Sequence, residues 1–209
     1  MGRGTKERAE TPPGAGVLLL VAGPSGAGKD TLIAAARGHF HGDERFVFPR
    51  RVVTRRSDDS EQVREVSSAA FEAIERRGGF FLAWRAHGLA YGVPADVRER
   101  LAEGRVVVVN VSRRIVGAAR ELWPRNHAVH IHVARSVLQA RLQSRGRETA
   151  GEIGERLSRH AAAGPPEAEA GATIIDNSGD FARARAQFVA VLEDQAARAQ
   201  RSTSRKGAA

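Results

Sequence analysis

Cysteine is absent from the 209-residue chain, which rules out disulfides and any metal site built on thiolates. Aromatic residues are scarce at 5%, so the stacking platforms that grip single-stranded nucleic acid have little to be made from. Apolar runs are short, and none offers the roughly 20 residues that a transmembrane helix needs. Val17-Leu18-Leu19-Leu20-Val21 follows Pro12-Pro13-Gly14 and runs straight into a glycine-rich turn, so a secretory signal is not expected there. A cytoplasmic protein without membrane or nucleic-acid partners is the expectation. Lysine is nearly missing too: Lys6, Lys29 and Lys206 are outnumbered by arginine among 33 basic residues, at a net charge of +9. Arginine suits a protein that handles phosphates, because its planar fork matches phosphate oxygens in pairs.

What is present is organised around Gly23-Pro24-Ser25-Gly26-Ala27-Gly28-Lys29-Asp30-Thr31. An apolar run precedes this stretch, and the helical pattern Leu32-Ile33-Ala34-Ala35-Ala36 follows it. Strand, glycine-rich turn and helix form the context of a phosphate-binding loop. Glycines let successive N–H groups converge on one anion, and the helix start adds its positive end. The pattern implies a nucleoside triphosphate site. One residue departs from it: Asp30 stands where Ser or Thr is usual, with Thr31 next.

The length predicts one domain able to bury a sizeable core. Residues 1–15 read as disordered, 16–197 as the domain, and 198–209 as a basic tail. Strands are expected at 17–22, 45–53 (interrupted by Pro49), 106–109, 128–133 and 172–175. A hairpin is expected from Phe80–Trp84 and Leu89–Tyr91, turned at His87-Gly88. Helices are expected at 30–39, from Ser67 or Ser68 to Gly78, and at 96–103, 115–122, 136–143, 149–160 and 181–197. Alternating strands and helices predict an α/β fold with a parallel sheet covered on both faces. Arg50, Arg51, Arg55 and Arg56 cluster around Thr54 and suggest a second phosphate site. His130 and His132 share a strand face, but without a visible third ligand packing is the preferred reading.

The order of these pieces resembles the guanylate kinase-like branch of P-loop kinases over residues 17–195. The matching stretches are the loop itself, Val53-Thr54-Arg55, Phe81-Leu82-Ala83-Trp84 through Tyr91-Gly92, Arg145-Gly146-Arg147-Glu148 and Ile174-Ile175-Asp176-Asn177. The resemblance implies an acceptor-binding subdomain at about 50–95 and a helical lid at about 141–160. Two departures stand out. Ala83 replaces the glutamate that guanylate kinases use to read guanine, and Ser57–Ser67 lacks the expected tyrosine. Phosphate-reading parts remain while base-reading parts are gone.

That combination resembles the ribose 1,5-bisphosphate phosphokinase family, associated with bacterial phosphonate breakdown. The shared residues include Asp30 itself, Thr54-Arg55, Trp84 and His87-Gly88-Leu89 through Tyr91-Gly92-Val93, Asn110, Ser112-Arg113, and Arg145-Gly146-Arg147-Glu148. The resemblance implies transfer of the ATP γ-phosphoryl to the 1-phosphate of ribose 1,5-bisphosphate, giving 5-phosphoribosyl 1-diphosphate. A nucleoside monophosphate kinase is the alternative. ATP is expected on Gly23, Pro24, Ser25, Gly26, Ala27, Gly28, Lys29, Asp30, Thr31 and Asn177. Lys29, Arg145 and Arg147 are the expected catalytic residues, with Arg156 a further lid candidate and Arg141 read as an exposed helical face. The acceptor is expected on Arg51, Arg55, Arg56 and Tyr91, with Trp84 and His87 as a wall for the sugar or, for Trp84, as core. Magnesium is expected on Asp30 and Thr31 through the nucleotide phosphates, or Asp30 caps the helix. Asp58, Asp59 and Glu61 either bond the ribose hydroxyls or line a loop. The sequence leaves the oligomeric state open, a homodimer included.

Overall fold

The strand Val17–Ala22 (β1) is apolar at every position and buried at every position. Val17, Leu19 and Val21 face one cluster with Leu32 and Phe188, while Leu18 and Leu20 face another with Leu101 and Val116. A strand whose two faces are both covered has no polar side to alternate with, which explains the unbroken run.

The structure is a computed structural model and describes residues 16–54, 63–86, 88–144, 149, 151, 153–155, 157–158 and 171–204. After β1 come the helix Lys29–His39 (α1) and the short strand Phe46–Val47 (β2). Later strands of the same sheet are Val106–Asn110 (β7), Asn126–His132 (β8) and Thr173–Asp176 (β9). They lie in the order β2-β7-β1-β8-β9, and every neighbouring pair is parallel. The expected parallel sheet is therefore present. Its connections run outward from β1 on one side and then cross to the other, so a crevice opens at the carboxyl ends of β1 and β7.

A second sheet holds Arg51–Val53 (β3), Val63–Glu65 (β4), Phe80–Ala86 (β5) and Leu89–Pro94 (β6), in the order β4-β3-β6-β5. The expected hairpin is β5–β6, with Trp84 opposite Tyr91. The expected strand 45–53 is two strands in different sheets. Pro49 has no N–H to give to a ladder, so β2 ends at Val47 and the chain re-enters as β3 beside β6. Ser67 caps the helix Ser68–Arg76 (α2) by accepting a bond from the Ala70 amide at 3.2 Å.

The helices Val97–Ala102 (α3) and Val116–Leu122 (α4) cover one face of the main sheet, and Arg135–Ser144 (α5) and Phe181–Ser204 (α6) lie with α1 on the other. The last helix exceeds its expected end at Ala197, because Ala199 is still buried in the core and the Arg198 carbonyl accepts a bond from Arg125 at 3.1 Å. Described residues between 151 and 158 are helical, and Ile153 and Leu157 join the same core. Among the described residues no helix is long and apolar enough to cross a membrane.

Candidate active site

The loop from Gly23 to Gly28 links β1 to α1, with left-handed backbone at Gly26 and Gly28. At Gly28 glycine is required twice over. Its φ is +85°, and a Cβ there would lie 2.5 Å from the Asn177 amide nitrogen. Asn177 explains the crowding: its Nδ2 donates to the Ala27 carbonyl at 2.7 Å, and its Oδ1 has no hydrogen-bond partner among the described residues. Expected on the nucleotide, Asn177 is 2% exposed and braces the loop from beneath. The Lys29 ammonium curls back and donates to the carbonyls of Gly23 at 3.0 Å and Pro24 at 2.8 Å.

Arg141 differs from its sequence reading. Instead of an exposed helical face, it is half-buried and donates to the Asn177 carbonyl at 2.9 Å, beside Gly28. Its place on α5 puts a guanidinium at the loop's flank, a position that periodicity within a short arginine-rich helix does not reveal.

On the other side of the loop, Asp30 ties together three elements. Asn110 at the end of β7 donates to Asp30 Oδ1 at 2.6 Å, and the Arg51 guanidinium on β3 lies 3.6 Å from the same oxygen. Asp30 also lies in the first turn of α1, where the positive end of the helix favours an acid, so the helix-terminus reading of Asp30 stands beside the metal-ligand one. The Asp30 carboxylate is 46% exposed, and the Asn110 and Arg51 contacts both fall on one of its two oxygens. That exposed carboxylate, with the exposed Thr31 beside it, is the hard-oxygen chemistry that suits Mg²⁺.

Arg51, 13% exposed, also lies over the Tyr91 ring at 5.8 Å, and Tyr91 stacks on Trp84 at 5.3 Å with the planes 10° apart. Trp84 is 5% exposed within the second core cluster. Of its two readings, core packing is the one observed: it supports Tyr91 from below. Thr54 accepts a bond from the Ala90 amide at 2.8 Å and locks β3 to the hairpin. Gly92, opposite Ala83, lies against the Phe80 ring, where a side chain has no room.

Between α1 and β3 runs a small cleft, open to solvent, with Asp30 and Arg37 on the α1 wall, Arg51 opposite and Asn110 at its floor. Arg37 was missed in the sequence. The signal was its spacing, since positions 30, 33, 34 and 37 share one face of a helix. His130, by contrast, is buried in the sheet, and among the described residues no three His, Cys, Asp or Glu side chains gather to hold a metal. Arg55, Arg56, Asp58, Asp59, Glu61, His87, Arg145, Arg147 and Arg156 lie outside the described residues.

No family model matches the chain. The fold is that of guanylate kinases: the guanylate kinase of Anaplasma phagocytophilum superposes with a TM-score of 0.62 at 17% identity, covering 87% of this chain and 86% of that one. Closer sequence relatives are the ribose 1,5-bisphosphate phosphokinase PhnN of Methylobacterium radiotolerans, 46% identical over 177 residues, and that of Acidiphilium cryptum, 47% identical over 180 residues. The first alignment covers 85% of this chain and 97% of the relative, the second 86% and 94%. With nearly the whole of each relative matched and the loop joined to an arginine-lined cleft rather than a base-reading carboxylate, the chain belongs to the ribose 1,5-bisphosphate phosphokinase family.

Proposed function

We propose that the chain transfers the γ-phosphoryl of ATP to the 1-phosphate of ribose 1,5-bisphosphate, producing ADP and 5-phosphoribosyl 1-diphosphate. The observation that carries this reading is the Asp30–Asn110–Arg51 junction, which sets an arginine-walled cleft directly beside the phosphate loop. One acceptor oxygen forms a bond to the γ-phosphorus as the bridge to the β-phosphate breaks, and the electron pair leaves with ADP. The attacking oxygen is already largely anionic at neutral pH, so no general base is required. The difficulty is to bring two polyanions together in line, and the chain's task is positive charge and alignment.

In this reading the loop amides and Lys29 hold the β- and γ-phosphates. Lys29 exchanges its two carbonyl partners for phosphate oxygens, a stronger charge-assisted bond. Arg141 flanks the nucleotide, and Asn177 acts through the loop it braces. Arg145 and Arg147 close on the transferring group. Arg51 holds the acceptor's reacting phosphate against Tyr91, with Arg55 and Arg56 completing the acceptor site. Asp30 and Thr31 would hold Mg²⁺, which when bound neutralises charge on the nucleotide phosphates.

The test is ADP production from ATP and Mg²⁺ with ribose 1,5-bisphosphate beside a panel of nucleoside monophosphates, the product being identified by phosphorus NMR. A diphosphate on C1 with little turnover of any nucleotide is expected. Brisk turnover of a nucleotide, with none of the sugar bisphosphate, overturns the proposal.

A further inference from the structure

We infer that Arg37 binds the acceptor's second phosphate, the one that is not attacked, and thereby selects a sugar with an anion at both ends. The inference rests on the kinase reading above and names the subsite that gives it specificity. Arg37 stands seven residues beyond Asp30 on α1 and lines the same cleft. Two helical turns separate them, about 10 Å along the axis. The reacting phosphate must lie at the Asp30 end, next to the loop and Arg51. A group held at the Arg37 end is therefore too far away to react, but it is where the far end of a bound pentose phosphate falls.

The surroundings of Arg37 are those of an anion site. Its guanidinium donates to the Phe48 carbonyl at 3.4 Å and lies 5.7 Å from the centre of the Phe48 ring, two contacts that aim it without neutralising it. Among the described residues no carboxylate pairs with it. Partial burial holds its pKa below the ordinary arginine value, and the nearby charge of Arg50 adds to the effect. A half-buried cation lining a cleft, with a second positive charge nearby, is stabilised by a dianion that accepts its fork. A nucleoside monophosphate has only one phosphate and would place an uncharged base there instead.

The experiment uses the full chain with ATP and Mg²⁺, and maps the two ends of the acceptor with fragments. Ribose 5-phosphate and ribose 1-phosphate are each titrated as competitive inhibitors against ribose 1,5-bisphosphate, in the wild type and in Arg37→Met. The expected result is a rise in the ribose 5-phosphate inhibition constant of at least about tenfold, the scale of a lost charge-assisted bond. The ribose 1-phosphate constant should stay within about twofold, since its own contacts remain. Arg37→Lys, which keeps the charge but not the fork, should fall between, and it carries the same comparison if the methionine variant does not fold. Equal rises for both fragments, a rise for ribose 1-phosphate alone, or no change in either overturns the inference. A wild type that turns over no ribose 1,5-bisphosphate removes the kinase reading and this subsite with it; normal wild-type turnover with a flat Arg37 response removes the subsite alone.

Discussion

The phosphate loop and the cleft beside it are built from different materials. The phosphate loop is mostly backbone: glycines, amides and a carbonyl pinned by the buried Asn177. The cleft is lined by charged side chains, Arg37 on α1 and Arg51 on β3, and Arg51 lies over Tyr91, itself stacked on Trp84. A backbone cradle reads any phosphate, because it presents N–H groups whatever the side chains are. A side-chain wall can be re-specified one residue at a time. The same fold can therefore keep its donor side while its acceptor side is changed.

Substitutions can break or sharpen that contrast. Lys29→Ala strikes the donor side, and kcat should fall by about a thousandfold, the upper range for losing one transition-state donor; an acceptor KM that moved more than kcat would contradict the division. Arg51→Met strikes the other side. Acceptor KM should rise by about 10- to 100-fold, as for a lost bond to a charged group, with ATP KM nearly unchanged in steady-state kinetics. Asp30→Asn tests the hinge between the two. Nucleotide affinity measured by calorimetry should persist while turnover drops about tenfold or more, in keeping with a carboxylate that positions charge at the transferring group; full activity would end that role. Asn177→Ala removes the brace, and about a tenfold rise in ATP KM is expected from leaving the Ala27 carbonyl without its partner. Arg85→Ala breaks the exposed pair with Glu75 on the outer face of the small sheet. Both KM values should stay within about twofold, as for surface ion pairs in general.

Much of this was legible in the sequence for physical reasons. The run Val17–Val21 declared a strand buried on both faces, and glycines followed by Lys29 declared the loop. Ser67 and Gly78-Gly79 bounded a helix because capping is a local matter. Other features depend on contacts that sequence spacing does not encode. Pro49 showed where pairing must stop but not that the chain would change sheets. The basic composition after Ala197 suggested a tail, whereas the burial of Ala199 extends the helix. Arg141 looked like a surface charge on a helix and Arg37 was not singled out, and only the tertiary fold sets one against Asn177 and the other along the cleft. For Asp30, the sequence showed an acid replacing a hydroxyl; the Asn110 bond shows what it reaches.

The stack beneath Arg51 has an optical consequence. Trp84 and Trp123 are the chain's two tryptophans and Tyr91 its sole tyrosine. Trp123 is buried, with its indole N–H fixed on the Gly16 carbonyl at 2.9 Å, and so it supplies a constant background. Trp84 lies in ring contact with a tyrosine that carries a cation over its face. An anion that draws Arg51 away from Tyr91 changes the electric field on the Trp84 indole and hence its emission. On the role proposed for Arg51, the acceptor side would therefore carry its own fluorescent reporter, expected to register the sugar phosphate.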